Sequence, residues 1–224
     1  MVQGYVRLER SSKNLIWLII ILVCGSVVSQ AQSVSERDGN IYFRNKSGQE
    51  KTLTTTGRDS QPNLSPDGLR IVFVRRTERL VDTALGDSNA SELWLTYRDG
   101  THSELLLSGS ENKDPKKSLA VVDSPQFSLD GNSVYFLSSA WVTSQALHVV
   151  DIHSRGERFI CDANTLEVIR HGKYRGALVV QKHKYFSGGG SYDDYWLLSK
   201  KGKELLRLGD DEDSSTPNLQ VRIR

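Results

Sequence analysis

Only two cysteines, Cys24 and Cys161, occur in the 224 residues, and Cys24 falls in an N-terminal leader. A disulfide framework is therefore excluded, because one remaining thiol has no internal partner. Cys161, in Phe-Ile-Cys-Asp-Ala, reads as a small hydrophobe buried at a strand end rather than a nucleophile. An excess of charge of one sign is also lacking. The net charge is +2, and Arg7, Arg10 and Lys13 against Glu9 place it in the leader. The remainder is close to neutral, which gives no field suited to nucleic acid. No Gly-x-Ser-x-Gly elbow is present, since Gly188-Gly189-Gly190-Ser191-Tyr192 fails at its last position. The histidines, at 102, 148, 153, 171 and 183, show neither His-Glu-x-x-His nor Cys/His ligand spacing. Asp210-Asp211-Glu212-Asp213 lacks the spaced oxygens and the glycine of a calcium loop and reads as a solvated acidic turn. The glycine run at 188–190 leads into a strand pattern, not the helix N-terminus that a phosphate cradle needs. Neither a metal nor a cofactor is expected, and a non-catalytic protein is the favoured reading.

Long apolar runs are confined to one place. Residues 15–28 follow the basic residues at 7, 10 and 13, and Ser29-Gln30-Ala31 supplies small residues for cleavage. A run of about 14 residues suits a signal peptide and is short for a membrane span. The expected organisation is a signal peptide over 1–31, cleaved near Ala31, a flexible lead-in over 32–39, and one β domain over 40–224. That predicts a periplasmic or secreted protein with no membrane span after cleavage; an uncleaved N-terminal anchor is the alternative. Val23 before Cys24 disfavours a lipobox.

What is present is a repeat. Gln-Pro-Asn-Leu-Ser-Pro-Asp-Gly-Leu-Arg-Ile-Val-Phe-Val at 61–74 returns as Ser-Pro-Gln-Phe-Ser-Leu-Asp-Gly-Asn-Ser-Val-Tyr-Phe-Leu at 124–137. Pro62 falls on Pro125, Ser65 on Ser128, Asp67 on Asp130, Gly68 on Gly131 and Phe73 on Phe136. Proline suits the first residue of a strand because it has no N–H to offer a ladder. Asp67-Gly68 and Asp130-Gly131 are turn formers: the carboxylate bonds the backbone ahead, and glycine accepts positive φ. Each copy is a β-hairpin. Further hairpins are expected over 41–53, 93–107, 147–160 and 195–208, turning at Gly48, Gly100, Gly156 and Gly202. Two hairpins make a four-stranded antiparallel unit. A third, degenerate unit takes 166–170 and 177–182 as its inner strands, with His-Gly-Lys-Tyr-Arg-Gly as the turn. Pro217-Asn218-Leu219 repeats Pro62-Asn63-Leu64, which suggests a blade shared between the two ends of the chain.

The pattern Pro-x-[Phe/Leu]-Ser-x-Asp-Gly-x-x-[Ile/Val]-x-Phe, followed by a strand such as Leu-His-Val-Val-Asp-Ile, resembles the β-propeller repeat of the TolB family. The same repeat occurs in the propellers of prolyl-oligopeptidase-type peptidases. The match covers most of residues 40–208 and is weak over 166–182. The resemblance implies an all-β propeller of about four blades, an exported protein and a docking surface for an envelope protein. The chain departs from TolB in having no room for its N-terminal α/β domain and in having fewer blades. No functional residue is carried over.

Turns within hairpins fall on one face of such a propeller and connections between hairpins on the other. The first set is uniformly short; the second holds the long segments 75–91, 108–123 and 183–194. Loops on a rigid scaffold carry function, so binding is expected on the elaborated face. Its candidates are Arg75, Arg76 and Arg79, whose guanidinium groups suit carboxylates. With them stand Lys182, His183, Tyr185, Phe186 and Tyr192, an aromatic group beside a glycine run. Two other readings remain: a periplasmic hydrolase or glycan- or peptide-binding protein with a central cleft, and an incomplete propeller completed by another chain.

Overall fold

The computed structural model describes residues 31–210. Four antiparallel sheets follow one another along the chain, and within each the strand order is the chain order. The first holds β1 (Ser33–Arg37), β2 (Asn40–Arg44) and β3 (Glu50–Thr52). The second holds β4 (Asp59–Leu64), β5 (Arg70–Thr83), β6 (Gly86–Tyr97) and β7 (Glu104–Leu107). The third holds β8 (Val122–Phe127), β9 (Ser133–Ser139), β10 (Gln145–Asp151) and β11 (Glu157–Ala163). The fourth holds β12 (Thr165–Val168), β13 (Leu178–Tyr185), β14 (Ser191–Leu198) and β15 (Glu204–Asp210). Successive sheets pack face to face through their first strands: β4 against β1 and β2, β8 against β4 to β6, and β12 against β8 and β9. This is the blade arrangement of a β-propeller.

The Ser-x-Asp-Gly turns explain themselves atom by atom. Ser65 Oγ donates to Asp67 Oδ1 at 2.5 Å and accepts from Arg70 N at 2.9 Å, while Asp67 Oδ1 also accepts from Leu69 N at 3.0 Å. The second copy matches: Ser128 Oγ to Asp130 at 2.7 Å, Asn132 N to Asp130 at 3.0 Å, Ser133 N to Ser128 Oγ at 3.0 Å. Asp130 is held below the usual carboxylate range by the Ser128 hydroxyl and the Asn132 N–H. At Asp67 burial pushes the other way, but the Ser65 hydroxyl and the Leu69 N–H outweigh it.

The inner strands are stitched to one another at equivalent positions. Asn63 Oδ1 accepts from Phe127 N at 3.1 Å. Gln126, its counterpart, donates to Leu166 O at 2.6 Å and accepts from Val168 N at 3.0 Å. Both strands bulge just before their proline, with Gln61 and Ser124 at φ 52°. A residue without an N–H loses nothing where the ladder is interrupted.

Alternation along β9 explains the core. Val134 and Phe136 face the second sheet, packing with Val72, Val74, Leu93 and Leu95. Tyr135 and Leu137 face the fourth, packing with Leu166, Leu178, Val180 and Leu198. The first sheet differs. Ile41 and Phe43 are buried on one face, while the other carries Arg37, Tyr42, Arg44 and Glu50. There Arg37 lies 3.9 Å over the Tyr42 ring and pairs with Glu50, which also pairs with Arg44 at 3.3 Å.

Two expectations are corrected. Residues 32–39 are not a loose lead-in: 33–37 form β1, paired with β2 from Ser33↔Arg44 to Arg37↔Asn40. The Asp38-Gly39 turn, with φ 52° and 70°, is a two-residue hairpin turn that compensates for a strand holding one apolar residue, Val34. The first sheet thus supplies a strand before 41–53 from its own N-terminal side. The leader with Cys24, the acidic residues 211–213 and Pro217-Asn218-Leu219 lie outside the described residues. The second correction concerns 75–91, which is no loop. β5 and β6 continue as a ribbon through Leu80↔Asn89 and Thr83↔Gly86, anchored by Val81 and Ala90 on Ala120. Among the described residues no helix is long and apolar enough to cross a membrane.

Candidate functional site

The elaborated face is built from the β5–β6 ribbon, the connection around Trp141–Ser144 and the β13–β14 tip. Its expected arginines are mostly committed to the fold. Arg75 grips the fully buried Asp59 with both arms of its fork, at 2.6 and 2.9 Å, and lies 4.3 Å over the Trp94 ring. It is an internal anchor, not a receptor for an incoming acid. Arg79 tethers the ribbon to the neighbouring connection through Gly109 O at 2.6 Å and Glu111 at 3.4 Å. Glu78 pairs with Arg58 at 2.8 Å, and Arg76 is exposed.

The second group of candidates is brought together, with one exception. Lys182 is buried and donates to Glu204 at 2.8 Å beneath the sheet. Burial lowers its pKa and the Glu204 carboxylate raises it; the net shift is upward. His183 Nδ1 bonds Asp193 at 2.8 Å and meets the Tyr185 ring edge-on at 5.0 Å. The Phe186 and Tyr192 rings lie 4.6 Å apart across the glycine turn. Tyr185 Oη bonds Thr143 Oγ1 at 2.8 Å, which joins the tips of the third and fourth sheets. No hydrogen bond, ion pair or ring contact among the described residues links this group to Arg75, Arg76 or Arg79.

Three residues that belong with this face were not anticipated. Leu80 and Leu85 on the ribbon are 66% and 79% exposed, and Val142 on the next connection is 66% exposed. Tyr185 and Phe186 follow at 67% and 49%. Apolar side chains thus stand at the tips of three successive sheets on one face. The signal was available, since Leu85 and Val142 sit in turn segments where polar residues are the norm.

One arrangement elsewhere has the outline of hydrolytic machinery. Ser138 Oγ lies 3.0 Å from His148 Nε2, and His148 Nδ1 lies 2.5 Å from Glu157. Counting protons decides what it is. The single Ser138 hydroxyl proton goes to Ser118 O, a pure acceptor, at 2.8 Å. Ser138 Oγ must then accept from Nε2–H. A nucleophile and its base need the opposite direction. Ser138 and His148 are also fully buried, with Phe136 stacked on the imidazole at 5.3 Å and Phe159 edge-on at 5.7 Å. The set is an internal polar network of the third sheet. Among the described residues no group of three or more His, Cys, Asp or Glu could hold a metal ion.

No family model matches the chain, and no curated protein matches it. Among solved structures it is similar to TolB from Acinetobacter baumannii, at 18% identity over 75% of this chain and 37% of that one, TM-score 0.49. It is similar to the β-propeller domain of the Trilobed protease from Pyrococcus furiosus, at 17% identity over 74% of this chain and 47% of that one, TM-score 0.47. It is also similar to an oligogalacturonate lyase in complex with manganese, at 14% identity over 77% of this chain and 42% of that one, TM-score 0.52. The chain spans less than half the length of each. These likenesses are of fold alone, and the sheet topology is that of a β-propeller.

Proposed function

We propose that this chain is an exported, non-catalytic propeller that docks a protein of the cell envelope on the face carrying its long connections. One observation carries the reading: Leu80, Leu85, Val142, Tyr185 and Phe186 project to solvent from the tips of three successive sheets on one face. Exposed apolar and aromatic side chains gathered on a rigid frame are what a protein interface uses as anchors. The rigidity is supplied by Arg75 on Asp59, by Arg79 on Gly109 and by Tyr185 on Thr143. The basic, apolar leader at 1–31 supports export. The test is tagged full-length chain crosslinked in the host envelope, compared with a Leu85→Ser, Tyr185→Ala, Phe186→Ser variant of unchanged melting temperature. A specific envelope protein recovered by wild type and lost by the variant supports docking here; equal recovery by both removes this face.

A second reading is favoured by β1. It is the terminal strand of its sheet, and among the described residues nothing pairs with its outer edge. An unpaired edge is a template for another strand, so completion of the propeller by a second chain is the alternative. Light scattering of the purified protein separates the two: a monomer leaves the edge to this chain, and a defined oligomer favours completion.

A further inference from the structure

The face with short turns carries a feature of its own. On the trimmed side, where the hairpin turns lie, a cavity of about 460 Å³ opens between the third and fourth sheets. A second, of about 470 Å³, adjoins it and shares Ser128, Asp130, Tyr135 and Lys200. Together they form one trough. Tyr135 Oη donates to Lys200 O at 3.1 Å and fastens the last turn of the fourth sheet across its middle.

The trough is net positive, with five cations against three carboxylates in its lining. Its acids keep their charge but are hydrogen-bonded inside their own hairpins, which holds them away from an incoming ligand. Asp130 is taken by Ser128 and Asn132, Asp151 by His153 N and by Ser154 N and Oγ, and Glu157 by His148. Its cations are not. Arg158, Lys173, Arg175, Lys200 and Lys201 line the rim, are exposed, and make no ion pair among the described residues. The sequence change behind this is local. Where the second and third sheets turn through Ser-x-Asp-Gly, the fourth turns through His-Gly-Lys-Tyr-Arg-Gly and puts Lys173 and Arg175 at the mouth.

The apolar part of the lining distinguishes between acidic ligands. Leu129 is half-buried and Leu205 is 49% exposed, which leaves aliphatic surface for a side chain. A sugar ring would want a bare aromatic plate, and the two rings in the lining offer little of one: Tyr135 is buried, and Tyr174 is half-buried with Lys173 Nζ 5.2 Å from its ring. We infer that the trough binds an acidic peptide segment of a partner protein, its carboxylates meeting these five cations and one aliphatic side chain entering beside Leu129 and Leu205. Arginine's fork and the lysine ammonium groups are both suited to carboxylates held at a peptide's spacing. This site lies on the face opposite the proposed docking tips and stands or falls without them.

Fluorescence anisotropy on the full chain tests it. The probes are a dye-labelled peptide of glutamates flanking a central leucine, the same peptide with serine for leucine, and a uronate oligosaccharide. The leucine peptide is expected to bind best and to weaken as salt is raised. Changing its leucine to serine costs about fivefold, from partial loss of apolar burial. Combining Lys173→Glu, Arg175→Glu, Lys200→Glu and Lys201→Glu weakens binding at least about tenfold. Lys46→Glu with Lys113→Glu, distant exposed cations, changes nothing. Should the charge reversals impair folding, the same positions changed to Gln give the same readout with a smaller loss. Unchanged affinity in both substituted forms overturns the site. Equal or tighter binding of the oligosaccharide, or indifference to the leucine, overturns the peptide assignment.

Discussion

The first and third sheets are the same hairpin chemistry under different burial. In the third, β9 sends Val134 and Phe136 to one neighbour and Tyr135 and Leu137 to the other, and all four are buried. In the first, β2 sends Ile41 and Phe43 inward, but Tyr42 and Arg44 meet Arg37 and Glu50 on a charged outer face. A sheet covered on both faces is held by apolar area on both. A sheet covered on one face must rely on its turn and on exposed ion pairs, which contribute little.

Substitutions can break or sharpen that contrast. Phe136→Ala removes a fully buried ring from the doubly covered sheet and is expected to cost about 3–5 kcal/mol in urea unfolding. Asp59→Ala, where the second sheet begins, strands the Arg75 guanidinium and costs about the same. In the first sheet the turn carries more weight than the side chains. An added Cβ at Gly39 would stand 2.2 Å from Gly57 O, at φ +70°. Gly39→Ala should therefore cost at least about 1–2 kcal/mol, with loss of hydrogen-exchange protection confined to β1 and β2. Tyr42→Ala, by contrast, should cost less than about 1 kcal/mol, as expected for an exposed cation–π contact. A Tyr42→Ala loss equal to that of Phe136→Ala would erase the distinction between the sheets.

Two titrations act on the third sheet. Asp130 is depressed in the folded chain, so its stabilising effect is complete above its unfolded value of about 3.9 and is lost as pH falls through the folded value. Asp130→Asn should melt lower than wild type at neutral pH, and the gap should close in acid. Cys161, packed between the third and fourth sheets, is pushed up to about 11, chiefly by burial. Alkylation of Cys161 in the folded chain, read by peptide mapping, should be slow at pH 8 and rise only as pH approaches that value, whereas Cys161 in the urea-unfolded chain should react near pH 8.5. Fast reaction of Cys161 in folded protein at pH 8 would mean that the fourth sheet does not close over the third.

The contrast also explains what was legible. Double burial produces nearly continuous apolar runs, so Val134 to Leu137 and its Ser-x-Asp-Gly turn announce a strand. β1 offers one apolar residue, Val34, and only Asp38-Gly39 marks it. The length of 75–91 was plain, but its ribbon depends on backbone pairing and on Val81 finding Ala120, which no local pattern records. Arg75 looked available because its partner, Asp59, lies 16 residues earlier and meets it only through the β4–β5 register. The aromatic group at 183–192 was visible because hairpin pairing keeps its members together. The basic trough was hidden because its five cations come from three separate segments that only the packing of the third and fourth sheets brings together.

Docking through the elaborated face is tested most directly by placing a photocrosslinking amino acid, in turn, at Leu85, Val142 and Phe186, and at Lys46 and Arg98 on the opposite side, in protein expressed in its own host. The expected result is one adduct of the same mass from all three tip positions and none from the other two. Adducts from Lys46 or Arg98 alone, or different adducts from each tip, would contradict a single docking face.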